Sequence, residues 1–124
     1  MATVLVVEDD PDLRELERLT LDLSGYSVIT ATNGQEALQT LTQCRPCVIL
    51  LDLMMPVMDG FTFLKERTRQ HLAEDVPVVC VSAGGSAMLS RAMQLGAGLC
   101  LSKPAGVEDI AETVGRYCRA APDA

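Results

Sequence analysis

Val48 to Leu51 form an apolar run without a polar break that leads straight into Asp52, and turn signals follow at once, Met55-Pro56 and then Asp59-Gly60. A short unbroken apolar run bounded by turns reads as a strand covered on both faces, the condition of strands in a parallel sheet. Asp52 then stands at the strand's carboxyl end. In open α/β sheets ligands bind along that edge, because the crossover connections leave a crevice there.

The same grammar recurs along the chain. Thr3 to Val7 is a β-branched run that ends in Glu8-Asp9-Asp10, and Tyr26 to Thr30 is a second short strand. Pro77 to Val81 ends in Ser82 and a small-residue turn, Ala83-Gly84-Gly85, and Gly98 to Ser102 leads into Lys103-Pro104. Between these runs lie helical patterns. Pro11 suits a first helical turn with Asp10 as its N-cap, Leu13, Leu16, Thr20 and Leu23 supply the inner face, and Gly25 ends the helix. Asn33-Gly34 opens a second helix with Ala37, Leu38 and Leu41 inward, and Arg45-Pro46 breaks it. Phe61, Phe63 and Leu64 mark the third before the polar stretch Arg67 to His71, the fourth runs from about Ser86 to Leu95, and Val107, Ile110, Ala111, Val114 and Tyr117 mark the fifth. Strands and helices that alternate in this way predict a flavodoxin-like, doubly wound α/β fold: a five-stranded parallel sheet of order 2-1-3-4-5 with five helices.

A chain of 124 residues, 48% hydrophobic and 22% charged, has the size and composition of one self-sufficient domain, expected to span 1–124 with only Ala120 to Ala124 fraying. A net charge of −7 repels a polyphosphate backbone, so no direct nucleic-acid partner is expected. No apolar run has the length of a membrane span and no secretory layout opens the chain, which predicts a cytoplasmic protein without membrane insertion. The five cysteines, at 44, 47, 80, 100 and 118, are odd in number and fall mostly in apolar segments, so reduced, buried thiols are expected. Cys44-Arg-Pro-Cys47 has the spacing of a redox pair, but it lies between a helix and the next strand, away from the crevice. His71 reads as a solvated residue near a helix end, and the chain has no Gly-Lys-Ser/Thr phosphate loop.

Function is carried by what gathers past the strand ends: Glu8 and Asp9 after the first, Asp52 after the third, Ser82 after the fourth and Lys103 after the fifth. The second strand offers only Ala31 and Thr32, and in the order 2-1-3-4-5 it lies at the border, farthest from the crevice. Carboxylates brought this close repel unless they take up protons or share a cation. An all-oxygen ligand set favours Mg²⁺, with Mn²⁺ possible, over zinc. Lys103 and the Ser82 hydroxyl, together with the metal, would clamp three oxygens of a phosphoryl group, with Asp52 as the nucleophile that accepts it. Asp10 and Asp59 read instead as capping and turn residues.

The blocks Val4-Leu5-Val6-Val7-Glu8-Asp9-Asp10, Leu51-Asp52-Leu53-Met54-Met55-Pro56-Val57-Met58-Asp59-Gly60, Val81-Ser82-Ala83 and Lys103-Pro104 resemble, in order and spacing, the receiver domain of two-component response regulators. The resemblance covers nearly the whole chain. It implies Asp52 as phosphoacceptor, Glu8, Asp9, Asp52 and the backbone carbonyl of Met54 as magnesium ligands, Ser82 as switch hydroxyl and Lys103 as phosphate partner. The implied donor is a histidine kinase or a histidine phosphotransfer protein. The expected protein is a stand-alone receiver, monomeric or weakly dimeric, that signals to a downstream protein the sequence does not name. It would catalyse only its own phosphorylation and dephosphorylation.

Departures from the family pattern are informative. Cys100 stands where an aromatic often swings inward, and Ala105 stands where an aromatic usually follows Lys-Pro. Met54 and Gly84, two residues past the acceptor and two past the switch hydroxyl, cannot orient an attacking water, which predicts a long-lived phosphoryl group. Two other readings use the same residues: a receiver-shaped interaction module that works without phosphate, and a haloacid-dehalogenase-like phosphatase. The latter wants a general acid where Met54 stands.

Overall fold

The strands β1 (Thr3–Val7), β2 (Ser27–Ala31), β3 (Val48–Asp52), β4 (Val78–Ser82) and β5 (Leu99–Ser102) form one parallel sheet of order β2-β1-β3-β4-β5 in the computed structural model, which describes residues 2–103 and 105–118. Pro104 and the tail Ala120 to Ala124 lie outside the described residues. The helices are α1 (Pro11–Leu23), α2 (Gly34–Leu41), α3 (Gly60–Arg69), α4 (Ser86–Gln94) and α5 (Val107–Tyr117). Fold class and strand order are therefore those read from the sequence, with element ends displaced by a residue or two.

Side chains alternate across a strand, so each strand feeds two cores. Leu5, Val7, Ile49, Leu51, Val78 and Cys80 face α2, α3 and α4, where Phe61, Phe63 and Leu64 complete the layer. Val4, Val6, Val48, Leu50 and Val79 face α1 and α5, where they meet Leu21, Ile110 and Val114. With both faces covered, β3 and β4 are buried along their whole length, which explains their lack of polar alternation.

Two helices differ from their sequence reading. On α1 the buried residues are Glu17 and Leu21, whereas Leu16 and Leu23 are exposed. The inward line runs through Leu13, Glu17 and Leu21 at i, i+4 and i+8, and a glutamate in its middle disguises it. On α3, Arg67 is buried rather than part of a polar end: its Nη1 donates to the carbonyls of Ala73 and Val76, both at 2.9 Å. His71 is exposed, as expected.

Contrary to what the sequence led one to expect, the cysteines are not all reduced: two of the five are joined. Cys47, just before β3, and Cys118, just past α5, form a disulfide with a Cα–Cα separation of 5.6 Å. Parallel strands and the returning helix bring together positions 71 residues apart, a proximity that spacing along the chain does not reveal. Cys44, Cys80 and Cys100 are free thiols.

Candidate functional site

The loops that leave the carboxyl ends of β1, β3, β4 and β5 build one cluster. Asp52 closes β3 and pairs in register with Val81 of β4, so Ser82 lies one residue farther along the same edge, itself paired with Ser102. Glu8 and Asp9 follow β1, which lies on the other side of β3. Carboxylate oxygens of Glu8, Asp9 and Asp52 all fall within 4.8 Å of one another. The Lys103 ammonium stands 3.3 Å from Glu8 Oε1 and 3.6 Å from Asp52 Oδ2.

Local chemistry holds these groups in place. Asp10 caps α1 by accepting from the N–H groups of Asp12 and Leu13, and Asp59 caps α3 by accepting from Thr62 N–H. Both act as caps, as the sequence suggested. Met54 N–H donates to Asp52 Oδ1 at 3.3 Å and Asp10 N–H to Glu8 Oε2 at 3.2 Å, so each carboxyl is oriented by the turn that follows it. Gly60 is where the chain must pass close: its N–H donates to the Leu53 carbonyl, and a Cβ there would stand 2.8 Å from the Asp52 carbonyl oxygen. In the same loop, Val57 has φ of 68°, a conformation costly for a β-branched residue and of a kind that gathers at functional sites.

The electrostatics follow from burial and crowding. Burial, then the Asp52 charge, pushes the Glu8 carboxyl up to about 7. Asp52 is also raised, by burial first and by Asp9 last, against the lowering pull of Lys103 and the Met54 N–H. For Lys103, burial pulls its ammonium down, but Asp52, Glu8 and Glu17 outweigh it, and the net shift is upward. Without a cation the crowding thus favours the protonated form of Glu8, and a metal would displace that proton. Three carboxylates with no nitrogen or sulfur donor fit a hard divalent ion such as magnesium. Ser82 is fully buried; its Oγ accepts from Gly84 N–H at 3.1 Å, and no described residue accepts its proton.

Every side chain predicted for the site therefore lies along the expected edge. The sequence missed Glu17, buried on α1 and raised to about 7 by burial, against the pull of Lys103 and with a further push from Asp52. The only sequence signal for it was its i+4 spacing from Leu13 and to Leu21.

The sequence model of the response regulator receiver domain family matches residues 4–115. The chain belongs to that family. It is 32% identical over 115 residues to the sporulation initiation phosphotransferase F of Bacillus subtilis, covering 92% of this chain and 91% of that protein. Among solved structures, the chemotaxis protein CheY4 of Vibrio cholerae superimposes with a TM-score of 0.87 at 34% identity, covering 95% of this chain and 99% of the other. The receiver domain of the sensor histidine kinase PA1611 of Pseudomonas aeruginosa superimposes with a TM-score of 0.85 at 26% identity, covering 94% and 96%, and holds a magnesium ion in its active-site cleft. The chain spans half or less of the length of several transcriptional regulators that it also matches. Among the described residues, no helix is long and apolar enough to cross a membrane.

Proposed function

We propose that this receiver domain is a phosphorylation switch, with Asp52 accepting a phosphoryl group from the phosphohistidine of a histidine kinase or phosphotransfer protein. The observation that carries the reading is the Lys103 ammonium within 3.6 Å of Asp52 and 3.3 Å of Glu8, opposite a triplet of acids suited to magnesium. Glu8, Asp9, Asp52 and the Met54 carbonyl would hold the ion, which supplies charge neutralisation for the phosphoryl oxygens and the attacking carboxylate.

The protein's own groups do the rest. An Asp52 carboxylate oxygen attacks phosphorus as the bond to the donor's imidazole nitrogen breaks, and the donor keeps the electron pair. Lys103 moves from a carboxylate onto a phosphoryl oxygen, and Ser82, whose proton has no acceptor among the described residues, donates to another. The gain of roughly 1.5 to 2 negative charges at this edge biases the loop after β4 and the start of α4. Output passes to another protein by contact. Met54 is exposed and Gly84 has no side chain, so neither orients a water, and the acyl phosphate should be long-lived.

Incubation with Mg²⁺ and acetyl phosphate tests this reading. A base-labile gain of one phosphoryl mass is expected in the wild type, absent from Asp52→Ala and after chelation of the metal. Steady turnover of acetyl phosphate without a retained label would favour a phosphatase, and no gain at all would favour a phosphate-independent interaction module.

A further inference from the structure

Beside the acid cluster, on the α1 and α5 side of the sheet, lies a cavity of about 370 Å³ lined by Leu13, Glu17, Val81, Ala83, Lys103 and Ala105. Its size falls within the range of small-molecule sites. Four of its walls are aliphatic. The fifth is Glu17, a residue only 4% exposed, and the sixth is the stem of Lys103, whose amine is turned to Glu8 and Asp52.

Glu17 accepts no hydrogen bond from any described residue. Lys103 and Asp52 act on it only through their fields. A carboxyl on so buried a residue is ordinarily paired or hydrogen-bonded within a native fold. Here it borders an open cavity instead, with Ala83 and Ala105 too short to fill the space opposite. Glu8, Asp9, Asp52 and Glu17 bring four carboxyl groups to this edge, where the Lys103 ammonium is held by Glu8 and Asp52 and the Arg14 guanidinium donates to the Glu8 and Asp9 carbonyls, so neither cation is bonded to Glu17.

We infer that this cavity binds a small organic cation, a primary amine or guanidine on an aliphatic stem, with the cationic head on the Glu17 carboxylate and the stem against Leu13, Val81, Ala83 and Ala105. An alcohol of equal length would fill the walls but leave Glu17 uncompensated. A carboxylic acid of equal length would meet its charge. A bound cation also lies beside Lys103. In so far as Asp52 accepts a phosphoryl group, occupancy of the cavity and phosphorylation should then influence one another, because both change the field at that ammonium.

The test uses n-pentylamine as the probe on the Mg²⁺-saturated chain at pH 8, read by amide chemical shifts of Leu13, Val81, Ala83 and Ala105. Saturable shifts are expected with n-pentylamine and none with 1-pentanol or hexanoate at the same concentrations. Glu17→Gln, nearly isosteric, should weaken the amine about tenfold or more, the loss of a hydrogen bond to a charged group. Ala105→Phe, which fills the cavity and leaves Glu17 in place, should abolish the shifts at Leu13 and Val81. Both variants should still take up phosphoryl from acetyl phosphate, which separates failure of this inference from failure of the phosphoacceptor reading. Equal binding of 1-pentanol, undiminished binding to Glu17→Gln, or no saturable shift with the amine would overturn the proposal.

Discussion

The two faces of the sheet are built differently. Toward α2, α3 and α4 the layer is closed by hydrophobic packing, with Phe63, Leu64, Ile49 and Leu51 fully buried, and its buried Arg67 is held by backbone carbonyls beyond the end of α3. Toward α1 and α5 the layer holds Leu21, Ile110 and Val114, but it also carries the buried Glu17 and Thr113, a cavity at its upper end and a disulfide at its lower end. The contrast teaches where stability and function part company. One face anchors the site, and the other keeps polar groups buried next to it.

Substitutions can break or sharpen this contrast. The largest effect is expected on the apolar face: Phe63→Ala removes a side chain with no exposed surface and should cost about 3 to 5 kcal/mol in urea unfolding. On the other face, reduction of Cys47–Cys118, or Cys118→Ser, should cost about 2 to 4 kcal/mol, since the bond closes a long loop of the unfolded chain. An unchanged midpoint in reductant would mean that packing alone holds both faces.

Glu17→Leu should do the reverse and stabilise. The folded-state pKa of Glu17 is raised to about 7 from 4.5, so the folded state binds its proton more tightly than the unfolded state does. The stability this gives is fully present below pH 4.5, declines as pH rises towards 7, and above that pH the ionised carboxyl is a net burden. The leucine variant should therefore gain about 2 kcal/mol over wild type at pH 8 and lose that pH-dependent part of its advantage by pH 4. A difference independent of pH would show that Glu17 does not titrate in the fold as its burial implies.

Gly60→Ala should cost about 1 to 3 kcal/mol of stability, through overpacking. Its Cβ would meet the backbone at Asp52 and Leu53, so acetyl phosphate uptake should fall more than stability does. Equal losses of both would make Gly60 a structural residue only.

Much of this was legible in the sequence because its physics is local. Apolar runs such as Val48 to Leu51 read as buried strands without knowledge of their neighbours, and acids placed directly after them must fall on one edge once the strands are parallel. Three features were not legible, and each depends on distant partners. Glu17 was not singled out by the apolar pattern of α1, because its inward position is set by how that helix docks. Arg67 looked like a helix-end cation, but the carbonyls of Ala73 and Val76 hold its Nη1 inside the fold. Cys118 could not be paired with Cys47 from spacing, because only the fold makes them neighbours.

The most direct measurement is to locate the modified residue chemically. Borohydride reduces an acyl phosphate on aspartate to homoserine, so treating the chain after exposure to acetyl phosphate and Mg²⁺, then mapping its peptides by mass, reads the acceptor position. Homoserine is expected at position 52 alone. Reduction product at position 9, or an unmodified Asp52 in a chain that has gained phosphoryl mass, would contradict it.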